Sequence, residues 1–173
     1  LRGSLIADYQ RTQDSKLHCA REGFGWASNR YSVRNGEIFC DDLVVFPYFD
    51  DVHPGDGGLV VVPGSHKAEF PRPDGLFYEN LVTDEVPEGV VNVTPKAGDV
   101  VIISELLTHG TMPWQPTDRF RRALVLRFRP QHSGDSDSIP EEIQGHLSAE
   151  TVELIATASF NHVKEIAKPF EAP

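Results

Sequence analysis

The sequence predicts a mainly β domain, most simply a sandwich or jelly roll, with one helix near the C-terminus. Three observations carry that expectation. The 173-residue chain holds 14 Gly and 13 Pro, punctuation that suits many short strands better than a helix bundle. Between these breaks lie short runs rich in β-branched and aromatic residues. A helical period emerges only after Ser148. Strands followed by one late helix fit a β core with helical decoration.

The first 36 residues give little pattern. Asp42-Leu-Val-Val-Phe-Pro-Tyr-Phe49 then reads as a strand. His53-Pro-Gly-Asp-Gly-Gly58 is a turn cluster, followed by the short buried strand Leu59-Val-Val-Val62, which Pro63-Gly64 closes. Val90-Val-Asn-Val93 is a further strand. Pro95-Lys-Ala-Gly-Asp99 turns into the strand Val100-Val-Ile-Ile103. Arg122-Ala-Leu-Val-Leu-Arg-Phe-Arg129 alternates, so Ala123, Val125 and Arg127 face one way and Leu124, Leu126 and Phe128 the other. In the tail, Val152, Ile155, Ala156 and Val163 suggest an amphipathic helix of about four turns, with Ser148 as its N-cap and no capping box. One domain is expected over 1–173, with 148–167 as helical decoration.

Composition excludes several classes. Asp and Glu number 26 against 16 Lys and Arg, a net charge of −10 that repels phosphate and argues against nucleic acid or an anionic membrane as partner. No apolar run approaches the roughly 20 residues of a spanning helix. Cys19 and Cys40 are too few for a disulfide framework or a cysteine zinc site. A reducing cytoplasm is therefore expected. The chain starts at Leu1 and shows no signal peptide, so it reads as processed or partial, with N-terminal sequence missing.

Chemistry narrows to the histidines. His132, His146 and His162 fall in polar loop and tail, His53 in a turn, and His66 where a loop staple is expected. His18 and His109 lie beside small residues next to predicted strands. Their context is more specific. Pro54-Gly-Asp-Gly-Gly58, Val62-Pro-Gly-Ser-His-Lys67, Lys96-Ala-Gly-Asp-Val100, Thr108-His-Gly-Thr111 and Phe120-Arg-Arg-Ala123 follow one another in that order. This series, over about residues 16–130, resembles the phytanoyl-CoA dioxygenase family of iron(II)- and 2-oxoglutarate-dependent oxygenases.

The resemblance implies a double-stranded β-helix, a jelly roll. It implies Fe(II) and 2-oxoglutarate as cofactors, with molecular oxygen and a small-molecule substrate as reactants. The family holds its metal with two histidines and a carboxylate, and this face-capping set leaves three positions of an octahedral ion open. His109 matches the second histidine and His18 the first. Arg121 matches the arginine that grips the far carboxylate of 2-oxoglutarate, with Arg122 as its close alternative; a guanidinium suits that task because two parallel hydrogen bonds fix the plane. Thr111 is a candidate hydroxyl donor to the same carboxylate. The implied reaction is decarboxylation of 2-oxoglutarate to succinate, coupled to hydroxylation of an unactivated C–H bond.

One departure stands out. The family has His-x-Asp, whereas this chain has His18-Cys19-Ala20. Three readings follow. Another carboxylate completes the site, with Glu105, Asp41, Asp42, Asp50 and Asp51 as candidates. Alternatively the position stays open to a halide, as in related iron halogenases. The third reading is a non-catalytic jelly-roll binding domain. Cys19, next to His18 on a strand, is expected to point away from it, and both cysteines are read as core residues. Trp26 and Trp114 are read as buried. The sequence does not specify the substrate or the oligomeric state.

Overall fold

The computed structural model describes residues 2–8, 15–20, 30–69, 85–130 and 140–155. Ten strands are found among them. They are β1 (Arg2–Asp8), β2 (Ser15–His18), β3 (Tyr31–Arg34), β4 (Glu37–Cys40), β5 (Leu43–Pro47), β6 (Gly58–Val61), β7 (Val91–Asn92), β8 (Val100–Ser104), β9 (His109–Met112) and β10 (Arg121–Phe128). A one-turn 3₁₀ helix at Ser65–Lys67 and two short helices, α1 (Glu141–Gln144) and α2 (Ala149–Ile155), complete the described elements.

Two four-stranded antiparallel sheets form the sandwich, in the orders β1-β10-β5-β8 and β2-β9-β6-β7. The β3–β4 hairpin stands apart as a two-stranded ribbon. It turns at Asn35-Gly36, both at positive φ, as a tight hairpin turn requires. With that ribbon set aside, every connection except β6 to β7 crosses from one sheet to the other. This is the winding of a jelly roll, or double-stranded β-helix.

Alternation builds the space between the sheets. Val44 and Phe46 of β5 are buried while Leu43, Val45 and Pro47 are half-buried. Ala123 and Val125 of β10 are buried beside the half-buried Leu124 and Leu126. These residues join Tyr48, Val52, Leu59, Ile103 and Trp114 in one core. A second apolar cluster of Leu17, Val60, Val62, Val90 and Met112 lies on the other face of the second sheet, since these positions alternate with the inward ones along β6 and β9.

The expected strands all form, with shifted ends; Val90-Val-Asn-Val93 shortens to β7. Strands β1, β2 and β3 arise in the stretch that gave no pattern. Of the predicted helix over 148–167, Ala149–Ile155 is described, about two turns, and residues 156–167 lie outside the described residues. Ser148 caps it as expected, its Oγ accepting from the Thr151 amide at 3.1 Å. No helix among the described residues is long and apolar enough to cross a membrane.

Candidate metal centre

His109 opens β9, directly opposite His18 at the end of β2. On its other side β9 pairs with β6, placing Val61 opposite His109 and Leu59 opposite Thr111. Directly opposed residues of an antiparallel pair share a face. Leu59 belongs to the core between the sheets, so His18, His109 and Thr111 belong to that same inner face. His109 is 6% exposed, whereas His18 and Thr111 are half-buried.

The two imidazole centres stand 4.5 Å apart with ring planes tilted by 53°. His18 Nδ1 donates to the Lys16 carbonyl at 2.7 Å. His109 Nδ1 donates to the Leu107 carbonyl at 2.7 Å. A carbonyl can only accept, so each Nδ1 carries the hydrogen and each Nε2 keeps its lone pair. Two imidazoles bound through Nε2 at right angles on one ion, at about 2.1 Å, have centres about 4.5 Å apart. The observed spacing therefore fits a shared metal ion. Burial holds the His109 imidazole below the ordinary histidine range, opposed by its hydrogen bond to Leu107 and reinforced by His18. The neutral ring is the form that binds a metal.

The loop motifs position β9. Ser65 of the Pro-Gly-Ser-His turn accepts from the Thr108 amide through its Oγ at 2.7 Å, and the Val62 amide donates to the Thr108 carbonyl at 2.8 Å. His66, expected as a loop staple to backbone carbonyls, packs edge-on against Tyr31 with ring centres 4.5 Å apart. It thereby ties the β3–β4 ribbon to the sandwich. Asp56 accepts from the His53 amide at 2.6 Å and from Arg119 at 2.5 Å, which pins the glycine-rich turn before β6.

The two neighbouring arginines separate cleanly. Arg121 is 3% exposed and packs against Gly58: a Cβ on that glycine would stand 2.8 Å from Arg121 Nη1. Gly58 pairs with Met112, next to Thr111. Arg122 points outward instead and grips Asp50 with two hydrogen bonds, at 2.7 and 2.8 Å. Arg121 is thus the guanidinium enclosed between the sheets.

The remaining carboxylates are distributed as follows. Asp41 pairs with Arg30 at 3.5 Å, and Asp51 accepts from the Ala97 amide at 2.7 Å. Asp42 is buried, 3.4 Å from Arg129, with Oδ2 lacking a partner among the described residues. Burial raises its pKa, with Arg129 opposing. Glu105 lies in the turn after β8, where its carboxylate accepts from Arg127 Nε at 2.6 Å. Among the described residues no three His, Cys, Asp or Glu side chains converge on one ion as they stand. Cys19 is buried as expected, while Cys40 is half-buried at a cleft rather than in the core. Trp114 is fully buried; Trp26, His132 and His162 lie outside the described residues.

The sequence did not single out three contributors. The carbonyls of Lys16 and Leu107 carry no side-chain signal. Arg127 did carry one, as a charge on the inward stripe of Ala123 and Val125.

The comparisons agree with this fold. HygX from Streptomyces hygroscopicus, with nickel, 2-oxoglutarate and hygromycin B bound, superposes with a TM-score of 0.64 at 24% identity, over 92% of this chain and 63% of that one. Iron-bound HygX gives 0.58 at 25% identity, over 72% and 55%. EvdO2 from Micromonospora carbonacea var. aurantiaca gives 0.51 at 20% identity, over 80% and 54%. The chain spans 55–63% of the length of HygX. No curated protein matches the sequence significantly. The phytanoyl-CoA dioxygenase model matches residues 8–123, most of the chain, including His18, His109, Thr111 and Arg121. On this match, and on a jelly roll that brings two histidines and a buried arginine to its inner face, the chain belongs to the phytanoyl-CoA dioxygenase family of non-haem iron(II)- and 2-oxoglutarate-dependent oxygenases.

Proposed function

We propose that the protein is an iron(II)- and 2-oxoglutarate-dependent oxygenase that hydroxylates an unactivated C–H bond of a small molecule. The observation that carries this reading is the facing pair His18 and His109, with each Nδ1 tied to a carbonyl. The pair would hold the iron. When bound, iron with 2-oxoglutarate supplies the oxidising chemistry, and the chain's own residues supply position and enclosure. Arg121 would fix the far carboxylate of 2-oxoglutarate through its fork of N–H donors, and Thr111 would donate its hydroxyl to the same group. The apolar wall of Leu59 and Val61 limits water on this face. Hygromycin B in a HygX structure supports a small organic molecule as the substrate class. The free thiols Cys19 and Cys40 support a reducing compartment.

Ala20 favours a second reading. Its methyl group offers the metal no donor, so a halide could fill that position, as in the iron halogenases. Chloride would then change the visible spectrum of the loaded protein, and its absence of effect removes this variant.

The test is anaerobic loading with Fe(II) and 2-oxoglutarate, followed by oxygen. Wild type is expected to give a visible charge-transfer band and to release succinate. Arg121→Ala should lose affinity for 2-oxoglutarate while keeping iron, and His109→Ala should lose iron itself. Unchanged binding in both variants would overturn the proposal in favour of a non-catalytic binding domain.

A further inference from the structure

With alanine at position 20, an iron held by His18 and His109 would have two neutral protein ligands and no protein anion. We propose that Glu105 supplies the missing carboxylate, exchanging Arg127 for the metal ion when the site loads. This inference rests on the oxygenase reading above. It also departs from the family pattern, which takes the carboxylate from the residue two places after the first histidine.

The backbone places Glu105 beside the vacant position. The Ala20 amide donates to the Glu105 carbonyl at 2.8 Å, so the two residues are neighbours across the end of the sandwich. Glu105 follows Val101 and Ile103 at alternate positions, and Ile103 is in the inter-sheet core. Its side chain is only 12% exposed. Arg127 continues the inward row of Ala123 and Val125 on β10, which lies in the same sheet as β8. Its ion pair with Glu105 therefore sits where the turn after β8 meets the end of β2.

The other carboxylates are committed elsewhere. Asp41 faces Arg30 and Asp50 faces Arg122. Asp51 holds the Ala97 amide. Asp42 pairs with Arg129. Among these candidates, Glu105 is therefore the carboxylate that is both joined to Ala20 through the backbone and held by a partner able to leave. The Arg127 side chain is 41% exposed, so its guanidinium can return to water. A carboxylate this enclosed needs a cation. Arg127 provides it before loading, and a divalent ion provides it afterwards, with the negative charge now on the metal.

The experiment is anaerobic titration of the full chain with Fe(II), and with Co(II) for its visible spectrum, following affinity and coordination rather than turnover. Glu105→Gln is expected to weaken binding by more than about 100-fold, beyond the roughly 10- to 100-fold effect of residues outside the ligand shell, and to alter the Co(II) spectrum. Arg127→Gln breaks the same ion pair but leaves the carboxylate free, so it should bind as tightly as wild type or more tightly. Ala20→Asp in the Glu105→Gln background should restore affinity by returning the carboxylate to the family position. Two results overturn the assignment: binding by Glu105→Gln within about 10-fold of wild type, or equal losses in Glu105→Gln and Arg127→Gln, which would make the pair structural. Failure of wild type itself to bind either metal would remove the oxygenase reading, and this assignment with it.

Discussion

At residue scale, the decisive contact outside the histidines is Gly58 against Arg121. Gly58 has φ +80°, and a Cβ there would stand 2.8 Å from Nη1 and 3.2 Å from Cδ of a guanidinium that is almost fully enclosed. Gly58→Ala should therefore lower stability by about 1–2 kcal/mol through backbone strain alone. It should also weaken 2-oxoglutarate binding by shifting Arg121; thermal unfolding and a 2-oxoglutarate titration read the two effects separately. Arg122, one residue away, has a different role. Its hydrogen bonds hold the Asp50 carboxyl below the ordinary carboxylate range. A depressed carboxyl contributes stability that is complete above its unfolded pKa and is lost as pH falls through the folded value. Asp50→Asn should lower the unfolding temperature at pH 7. The difference from wild type should vanish in strong acid, where Asp50 is itself neutral; a difference that persists there would contradict the assignment.

At element scale, β10 shows what alternation can and cannot tell. Its period of two, read from Ala123 to Phe128, correctly divides the inward from the outward residues. It also settles the choice between Arg121 and Arg122, because Arg121 shares parity with Ala123 and Val125. Strands β1 and β2 escaped notice because Arg2–Asp8 and Ser15–His18 mix charged, polar and small residues. Their pairing is fixed by partners more than ninety positions later in the chain, information that no local window contains. A turn over residues 105–107 separates β8 from β9. Beyond the end of β9 lies Trp114, which is fully buried and donates through Nε1 to the Arg119 carbonyl at 3.0 Å. Trp114→Ala should cost about 3–5 kcal/mol in denaturant unfolding. Ser148→Ala, which removes the cap of an outlying helix, should cost only about 1 kcal/mol.

For the whole molecule, the sandwich interior does two jobs at once. The apolar residues of β5, β10 and β6 pack its middle, and the charged and imidazole groups gather where β2, β9 and the turn after β8 meet. That division was partly legible beforehand, since the order of the glycine, Pro-Gly-Ser-His and His-Gly motifs placed the histidines and the arginine. The proposed third ligand was legible only as one candidate carboxylate among five, because the usual position holds alanine and its neighbour in space is 85 residues away by the numbering of Ala20 and Glu105. The central claim is that His18 and His109 bind one ion together. X-ray absorption at the iron edge of the anaerobically loaded protein tests it most directly, because imidazole rings scatter distinctively. The account predicts two imidazoles around the iron in wild type and one in His18→Ala. A spectrum with fewer than two imidazoles in wild type, or one unchanged by removing His18, would contradict it.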